Sequence, residues 1–273
     1  MTDLHRLQKV WDGLAKHDPM GVILADPTRK GNKWDSGEFF ATGRREINTV
    51  LDHVRSQGLT PDLGGSALDF GCGVGRLTQA LASRFACVFG VDISETMVKR
   101  AQRHNGFPDS CKYICSTSNT LPFGDEEFSF IYSSIALQHI EPRYIEKYIA
   151  EFLRVLCPGG ILVFQLADQR KGESFRRLAG RIRRQARRPL EVAGLVAGLM
   201  EVHCLTEARV RAILASESCR IVDVRITNSL ALDFNGDLQY LAVESRKGYV
   251  SKQYCVVKAQ VCPGGPLESM DRK

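Results

Sequence analysis

The sequence predicts an α/β fold, in which helices cover both faces of a mostly parallel, twisted sheet. Short apolar runs alternate with stretches of helical periodicity between about residues 60 and 167. Each apolar run lacks a polar face, as do strands that are covered on both sides. With 44% hydrophobic and 25% charged residues among 273, the composition is that of a folded globular protein rather than a disordered or fibrous one.

Local signals predict the individual elements. Ser36 is a candidate N-cap for a helix that ends near Gln57, because Ile47 and Val54 fall on one helical face and Gly58 follows. The remaining predicted elements, in chain order, are a strand at 66–70, a helix at 77–85, a strand at 87–91, a helix capped by Ser94 and ending near 104, strands at 111–115 and 128–133, a helix at 143–156, a strand at 161–166, a helix at 206–216 capped by Thr206, and strands at 220–226 and 249–259.

These patterns predict three parts of the chain. Residues 1–59 form an N-terminal helical extension, residues 60–259 form the main domain, and residues 260–273 form a flexible tail. Within the main domain, residues 168–218 are expected to cover the substrate. Neither a signal peptide nor an apolar run of roughly 20 residues is visible, so a cytoplasmic location is predicted. Nine cysteines, an odd number without a Cys-x-x-Cys pair, predict reduced thiols and neither disulfides nor a zinc site.

Three glycines stand between a predicted strand and a predicted helix, at 71, 73 and 75. Glycine lets the backbone turn sharply and approach a ligand closely. Arg76 occupies the position where a dinucleotide fingerprint requires glycine, and Asp69 would repel a pyrophosphate. Asp92 ends the next strand, where a carboxylate can accept hydrogen bonds from both hydroxyls of a ribose. The pattern indicates an adenosine-like ligand without phosphates, unless Asp69 and Asp92 are merely capping or turn residues.

Five segments occur in a characteristic order: LDFGCGVGRLT (68–78), GVDIS (90–94), LPF (121–123), LQHI (137–140) and RVLCPGG (154–160). In these segments the chain resembles the class I S-adenosylmethionine-dependent methyltransferases. The segment KWDSGEFFATGR (33–44) also resembles an N-terminal motif of a bacterial subgroup of that family. The resemblance implies a Rossmann-like fold with an antiparallel last strand, S-adenosyl-L-methionine as cofactor and S-adenosyl-L-homocysteine as product.

The resemblance also implies which residues bind the cofactor at the carboxyl ends of the strands. Many relatives carry an acidic residue after the third strand, where this chain has Ser-Thr-Ser-Asn. The candidates are Asp69, Gly71 and Gly73 for the methionine portion, Gly43 and Arg44 for its carboxylate, Asp92 for the ribose, Ile93 and Met97 for the adenine face, Thr117, Ser118 and Asn119 for the adenine amine, and Ser134 after the fourth strand. The alternatives without a ligand are a core role for Met97 and a solvated charge for Arg44.

Two histidines are candidate catalytic residues. Transfer of a methyl group from a sulfonium can proceed by alignment and desolvation alone, but a hydroxyl acceptor benefits from a base. His139 follows the fourth strand, and His203 follows Glu201 in the predicted substrate cover. The alternatives are a pocket histidine bonded to backbone for His139 and a cap or surface residue for His203. No metal is predicted, because Asp168 after the fifth strand has no evident partner ligand.

One segment, residues 170–188, carries nine Lys or Arg and one acid, whereas the rest of the chain holds 28 basic and 30 acidic residues. It predicts a basic amphipathic helix that binds an anionic membrane surface or an acidic, lipid-linked substrate, with a solvated cover helix as the alternative. The predicted function is O-methylation of a small-molecule, glycan or lipid-linked acceptor. A nucleic-acid methyltransferase, disfavoured by the charge of the rest of the chain, and a cofactor-binding protein without methyl transfer remain alternatives. The sequence does not predict the oligomeric state.

Overall fold

A computed structural model describes residues 3–24, 26–171, 201–231, 234–244 and 248–260. Within these residues, helices and strands alternate through the middle of the chain as predicted. The helices are α1 (Asp3–His17), α2 (Pro19–Ile23), α3 (Ser36–Ser56), α4 (Arg76–Ala82), α5 (Glu95–Arg103), α6 (Pro142–Val155) and α7 (Glu207–Ala215). The strands are β1 (Ser66–Phe70), β2 (Cys87–Asp92), β3 (Cys111–Cys115), β4 (Phe128–Ser133), β5 (Leu156–Lys171), β6 (Cys219–Thr227), β7 (Tyr240–Leu241) and β8 (Gly248–Lys258).

The strands of the described residues form one sheet with the order β3-β2-β1-β4-β5-β8-β6-β7. Neighbours among the first five strands are parallel, and β8 is antiparallel to both β5 and β6. The predicted α/β class, with a mostly parallel sheet and an antiparallel last strand, is confirmed. Because parallel strands need crossover connections, helices lie on both faces of the sheet.

Apolar side chains cover both faces of the sheet. On one face, α6 and α7 bury residues such as Ile149, Phe152 and Val210 against the strands. On the other face, α3, α4 and α5 do the same, with Ile47 and Val54 on the predicted apolar side of α3. A third cluster joins the N-terminal helices to the glycine loop and α5; it contains Ala15, Leu24, Trp34, Phe39, Val74, Met97 and Phe234.

Several boundaries differ from the predictions for local reasons. Asp35, not Ser36, caps α3, because Asp35 keeps an extended backbone and its side chain accepts a hydrogen bond from the Glu38 amide at 2.9 Å. The caps predicted at Ser94 and Thr206 are confirmed. Strand β5 extends beyond the predicted 161–166, because its second half pairs with β8.

The first 59 residues contain α1, α2 and α3, of which only α3 was predicted individually. The predicted basic helix and the predicted tail fall mainly on residues 172–200 and 261–273, which lie outside the described residues. Among the helices that are described, none combines the length and the apolar character needed to cross a membrane.

Candidate functional site

A cavity of about 780 Å³, here called the strand-end cavity, lies at the carboxyl ends of the central strands. The chain order of the sheet reverses between β1 and β4, and open α/β sheets bind ligands at such a reversal. The lining residues are Leu4, Leu7, Trp11, Val22, Ile23, Phe70, Gly71, Gly73, Val91, Asp92, Ile93, Met97, Ser116, Ser134, Ile135, Ala136, His139, Ile140 and Tyr148.

The glycine loop after β1 forms one wall of this cavity. Gly71 and Gly73 have φ angles of +79° and +53°, a region that L-residues with side chains adopt at a cost. A Cβ atom at Gly71 would lie 2.2 Å from the Cβ of Ala136, and one at Gly73 would lie 2.7 Å from Cδ1 of Ile23. Glycine is therefore required at both positions, which the structure places in the cavity wall as the sequence predicts.

Asp92, at the end of β2, supplies the carboxylate of the cavity. Its Oδ2 accepts a hydrogen bond from the Gly73 amide at 2.8 Å, and its Oδ1 accepts one from the Ser94 amide at 2.8 Å. Burial raises the pKa of Asp92 to about 6, although these hydrogen bonds oppose the shift. Because each carboxylate oxygen can accept a further hydrogen bond, Asp92 can still bind two ligand hydroxyls.

The structure places Asp69 behind the glycine loop, and Asp69 is not among the residues that line the strand-end cavity. The side chain is fully buried, and it accepts a hydrogen bond from Oγ1 of Thr78 at 2.6 Å. Burial raises the pKa of Asp69 to about 7, against the effects of the Thr78 hydrogen bond and the nearby Arg76. Asp69 therefore connects β1 to α4 on the two sides of the loop, and its contact with the methionine portion stays a prediction.

Gly43 and Arg44 also are not among the residues that line the strand-end cavity, and their contact with the cofactor carboxylate stays a prediction. A Cβ atom at Gly43 would lie 2.3 Å from the carbonyl oxygen of Arg76, which means that Gly43 lets α3 approach α4. Arg44 is exposed. The buried arginine in this region is Arg76, whose Nη2 donates to Oε2 of Glu46 at 2.7 Å. This pair joins the two helices beside the glycine loop.

The structure places the predicted Ile93, Met97 and Ser134 in the wall of the strand-end cavity. Met97 is buried and belongs to the cluster that packs against α1 and Trp34. Its core role and its ligand-facing role are therefore compatible. Ile93 and Met97 together give the cavity an apolar surface next to Asp92, which suits the flat face of an adenine ring.

After β3 the structure places one residue in the wall that the sequence did not single out. Ser116 lines the cavity, whereas Thr117, Ser118 and Asn119 do not. The chain turns away at this point, since the Ser118 amide donates to Oγ of Ser116 at 3.3 Å and the Ser118 carbonyl accepts from the Tyr148 hydroxyl at 2.7 Å. Ser116 is therefore the residue of this segment that is placed to meet a ligand in the cavity, and the contacts of Thr117, Ser118 and Asn119 with adenine stay a prediction.

Helix α1 closes the cavity and was missed at the sequence level. Leu4, Leu7 and Trp11, spaced for one helical face, line the wall. The helix is held in place through Asp12, which accepts hydrogen bonds from the Ser94 hydroxyl at 2.6 Å and from the Thr96 amide at 3.0 Å. The spacing of the apolar residues was visible in the sequence, but the surface they would cover was not.

A second cavity of about 820 Å³, here called the outer cavity, adjoins the first. Leu4, Leu7, Trp11 and His139 line both cavities and form a shared wall. The rest of the outer cavity is a mixture of apolar, aromatic and charged side chains: Asp3, Arg6, Val10, Glu141, Tyr144, Glu201 and His203.

His139 lies in the shared wall, with only 8% of its surface exposed. Its Nδ1–H donates to the Glu201 carbonyl oxygen at 3.2 Å, so Nε2 carries the lone pair. Nε2 faces the Gln138 amide nitrogen at 3.4 Å, and the ring lies edge-on to Trp11. Burial lowers the pKa of His139 to about 4, so the imidazole is neutral at pH 7 and is a weak base.

His203 lies in the outer cavity, on the side away from the strand ends. Its backbone amide donates to the Gln138 carbonyl at 2.8 Å, and its Nε2 lies 3.9 Å from Oε2 of Glu201. The structure therefore brings the two predicted catalytic histidines to neighbouring positions, with His139 at the shared wall and His203 lining only the outer cavity.

Asp168 has a structural role at the end of β5. Its Oδ1 accepts from the Glu207 amide at 2.5 Å and its Oδ2 lies 3.2 Å from Nζ of Lys252. Over the described ranges, no group of three or more His, Cys, Asp or Glu side chains is placed to hold a metal ion.

The strand-end cavity fits an adenosine linked to an amino acid. Asp92 offers acceptors for ribose hydroxyls, and Ile93 and Met97 offer an apolar face. Gly71 and Gly73 provide a loop whose backbone has no side chain between it and a ligand. The residues present therefore fit S-adenosylmethionine, and no phosphate-binding group is required.

Comparisons with known proteins agree with this geometry. Residues 68–164 match the model of a family described as "Methyltransferase domain". A 24-methylenesterol C-methyltransferase 2 from Oryza sativa subsp. japonica is 34% identical over 142 residues, which cover 48% of this chain and 39% of that protein. The matched region thus spans well under half the length of this curated relative.

Two solved structures share the fold. Magnesium protoporphyrin IX methyltransferase from Synechocystis PCC 6803, with bound S-adenosylhomocysteine, has a TM-score of 0.61 and 18% identity over 94% of this chain and all of that chain. The (4+2)-cyclase SpnF has a TM-score of 0.52 and 18% identity over 78% of this chain and 81% of that chain. Residues 68–164 therefore match a methyltransferase domain, and the strand order and the cavity at the strand ends are those of a Rossmann-like methyltransferase fold.

Proposed function

We propose that the protein binds S-adenosylmethionine in the strand-end cavity and transfers its methyl group to an oxygen atom of a small molecule in the outer cavity. The observation that carries the proposal is the shared wall. Leu4, Leu7, Trp11 and His139 line both cavities, so the two cavities border each other at these side chains and ligands in them would lie next to each other. Alignment of the two ligands is the main requirement of an in-line displacement.

The cofactor, when bound, supplies a methyl group on a sulfonium, which is electrophilic without further activation. The protein contributes binding and exclusion of water. Asp92 and the glycine loop hold one end of the cavity, and α1 covers the other side with Leu4, Leu7 and Trp11. Removing water from the reacting atoms strengthens electrostatic interactions there and prevents hydrolysis.

The role of His139 in this proposal is to orient an acceptor oxygen. With a pKa of about 4, the neutral imidazole presents the Nε2 lone pair and can accept a hydrogen bond from a hydroxyl. The present partner of Nε2, the Gln138 amide at 3.4 Å, makes a long hydrogen bond that a closer hydroxyl could replace. His203 lines only the outer cavity and would contact the more distant part of the acceptor.

The outer cavity favours a small acceptor with an apolar or aromatic body. Val10, Trp11 and Tyr144 supply apolar and aromatic surface. Among the charged lining residues, three are carboxylates and one is an arginine, a balance that disfavours a polyanionic nucleic acid. An apolar body is also compatible with a lipid-linked acceptor, and binding of the 170–188 segment to an anionic membrane surface remains part of the proposal.

The second candidate function is cofactor binding without methyl transfer. The likeness to a structure titled as a cyclase means that the fold alone does not decide the reaction. The test therefore has two steps. Isothermal titration should show S-adenosylmethionine and S-adenosylhomocysteine binding at micromolar concentrations or below, with no NAD binding. Incubation with S-adenosylmethionine and a panel of hydroxyl, carboxyl, amine and RNA acceptors should then release S-adenosylhomocysteine with an oxygen acceptor.

The outcomes separate the candidates. Binding without product release from any member of the panel would favour the non-methylating alternative. Release with structured RNA alone would favour a nucleic-acid methyltransferase. Preferential NAD binding would contradict the cofactor assignment.

A further inference from the structure

One residue in the wall of the strand-end cavity has a backbone conformation that its side chain disfavours. Ile135 has a φ angle of +58°, although its β-branched side chain crowds the backbone in this left-handed region. Such strain persists only where the surrounding structure enforces it, and it is concentrated at functional sites. Neighbouring residues must therefore hold the backbone of Ile135 in this conformation.

The strained residue is the centre of a turn that shapes the site. Ser134, Ile135 and Ala136 all line the strand-end cavity. Ala136 is so close to the glycine loop that a Cβ atom at Gly71 would lie 2.2 Å from its own Cβ. The Ala136 carbonyl also accepts a hydrogen bond from the His139 amide at 3.0 Å. A shift of this turn would move the cavity wall, the contact with the glycine loop and His139 together.

Gln165 on β5 holds the turn. Its Oε1 accepts a hydrogen bond from the Ile135 amide at 2.9 Å, and its Nε2 donates to Oγ of Ser251 on β8 at 2.9 Å. The Ser251 hydroxyl lies 2.7 Å from that of Thr227 and 2.8 Å from that of Ser229, which are 2.7 Å apart. Gln165 and the three hydroxyl-bearing residues are all buried. A buried network whose members are all paired is rigid, because any movement would leave a polar group unpaired.

Both the oxygen and the nitrogen of the Gln165 side-chain amide are used at this position. The Ile135 amide needs an acceptor, and Ser251 receives a donor, so the side-chain amide is fixed in one orientation. Methionine has a similar length but offers neither group. Glutamate retains the acceptor for Ile135, and the Ser251 hydroxyl can donate to it instead.

We propose that Gln165 is a positioning residue, which holds the 134–136 turn in its strained conformation and thereby fixes the wall of the cofactor site. It touches neither cavity itself, since it is absent from the lining of both. The antiparallel strand β8 thus contributes to the site through Ser251, although two strands, β4 and β5, separate it from β1 in the sheet. The proposal rests on the proposed function, because it treats the strand-end cavity as a cofactor site.

The first experiment compares two substitutions by isothermal titration with S-adenosylhomocysteine. Gln165→Met should weaken binding about tenfold, whereas Gln165→Glu should stay within about threefold of the parent, because it keeps the acceptor. The control is Tyr240→Phe, which removes a buried hydrogen bond to Oε1 of Gln253 at 2.7 Å, also on β8 but away from the turn. The control should leave the affinity unchanged.

The second experiment is a double-mutant cycle with Ile135→Gly. Glycine adopts a positive φ without strain, so the turn no longer depends on Gln165. In that background, Gln165→Met should cost less than about twofold in affinity. An undiminished tenfold cost in both backgrounds would overturn the proposal, as would equal affinities for parent and Gln165→Met. If Gln165→Met does not fold, Ser251→Ala replaces it in the same cycle with the same criteria.

The failure of the proposed function would be recognised separately. If the parent protein does not bind S-adenosylhomocysteine, the cofactor assignment fails. The energetic coupling between Gln165 and Ile135 is then measured by thermal unfolding of the same four proteins. The proposal then requires that Ile135→Gly reduces the loss in unfolding temperature caused by Gln165→Met. Additive losses would overturn it.

Discussion

The lining residues of the two cavities differ in how widely they are spread along the sequence. Most of the strand-end cavity comes from residues 70–148, inside the matched domain, where many of the lining residues end a strand or come directly after one. The outer cavity combines α1 with residues 139–144 and with Glu201 and His203, so much of its wall lies outside that domain. The strand-end cavity is thus built mainly from the sheet, whereas a larger share of the outer cavity comes from segments that are distant in sequence, and α1 contributes to both.

The largest expected effect is that of replacing Asp92, which lines the strand-end cavity but not the outer cavity. Asp92→Ala should weaken S-adenosylhomocysteine binding by about 1.5 to 3 kcal/mol, because two hydrogen bonds to a partly buried carboxylate are lost. Isothermal titration measures the change. The matched control is Asp109→Ala, which removes an exposed aspartate before β3 and should leave the dissociation constant unchanged. Equal affinities for the Asp92 variant and the parent would place the ribose elsewhere.

The shared wall makes a different prediction, because it belongs to both regions. Trp11→Ala should weaken S-adenosylhomocysteine binding about tenfold and also raise the KM for the acceptor, since the indole lines both cavities. Tyr144→Ala should raise only the acceptor KM, because Tyr144 lines the outer cavity alone. If Trp11→Ala affected the acceptor alone, the strand-end cavity would not extend to α1 in solution.

Protonation of His139, in the shared wall, should make the stability of the protein depend on pH. The folded-state pKa of about 4 lies below the usual His pKa of about 6.5, so the unfolded chain binds the proton more tightly and this contribution to stability is lost as pH falls from 6.5 to 4. The expected loss is about 3 kcal/mol. Asp69 and Asp92, whose pKa values are raised, act in the opposite sense, so their contributions are lost as pH rises from about 4 to 7.

Urea unfolding of the parent and of His139→Gln across this pH range isolates the histidine, because the two aspartates are common to both proteins. The free energy of unfolding of the parent should decline relative to the variant as the solution is acidified. Parallel curves would mean that His139 is accessible to water and protonates freely.

The smallest expected effect concerns the basic segment. If the segment binds an anionic surface, replacing Arg181, Arg183, Arg184 and Arg187 by Gln should weaken sedimentation with phosphatidylserine vesicles and flatten its salt dependence. Affinity for S-adenosylhomocysteine should not change, because the strand-end cavity is built from other residues.

The control for this variant carries the same change of charge elsewhere. It replaces the exposed Arg44, Arg55, Arg84 and Arg103 by Gln and should bind vesicles as the parent does. A similar loss in both variants would indicate a general effect of net charge. No loss in either would favour a solvated cover helix.

The sequence predicted the fold and part of the wall of the strand-end cavity, because both depend on patterns that are short in sequence. Apolar runs and helical spacing identified every described strand except β7 and most of the described helices, and Asp92 ends its strand while Gly71 and Gly73 follow theirs closely. The position of Asp69 behind the loop was harder to predict, because side chains alternate along a strand and Asp69 points towards α4 and Thr78. The positions of Gly43 and Arg44 outside the lining were not predictable either, because the resemblance does not fix which face of α3 meets the cavity.

The outer cavity could not have been predicted in the same way. The apolar spacing of Leu4, Leu7 and Trp11 indicates a helix but does not say what the helix covers. The contact of Glu201 with His139 spans 62 residues and depends on tertiary packing. The hydrogen bond between Gln165 and Ile135 likewise leaves no motif, since a buried glutamine in a strand has no characteristic neighbours.

The most direct test of the central claim is a crystal structure of the complex with S-adenosylhomocysteine. The ribose should bind Asp92, the adenine should lie against Ile93 and Met97, and the thioether sulfur should face the wall formed by Leu4, Leu7, Trp11 and His139. A ligand whose sulfur points away from that wall, or one bound outside the strand-end cavity, would contradict the account of two cavities that meet where the methyl group is transferred.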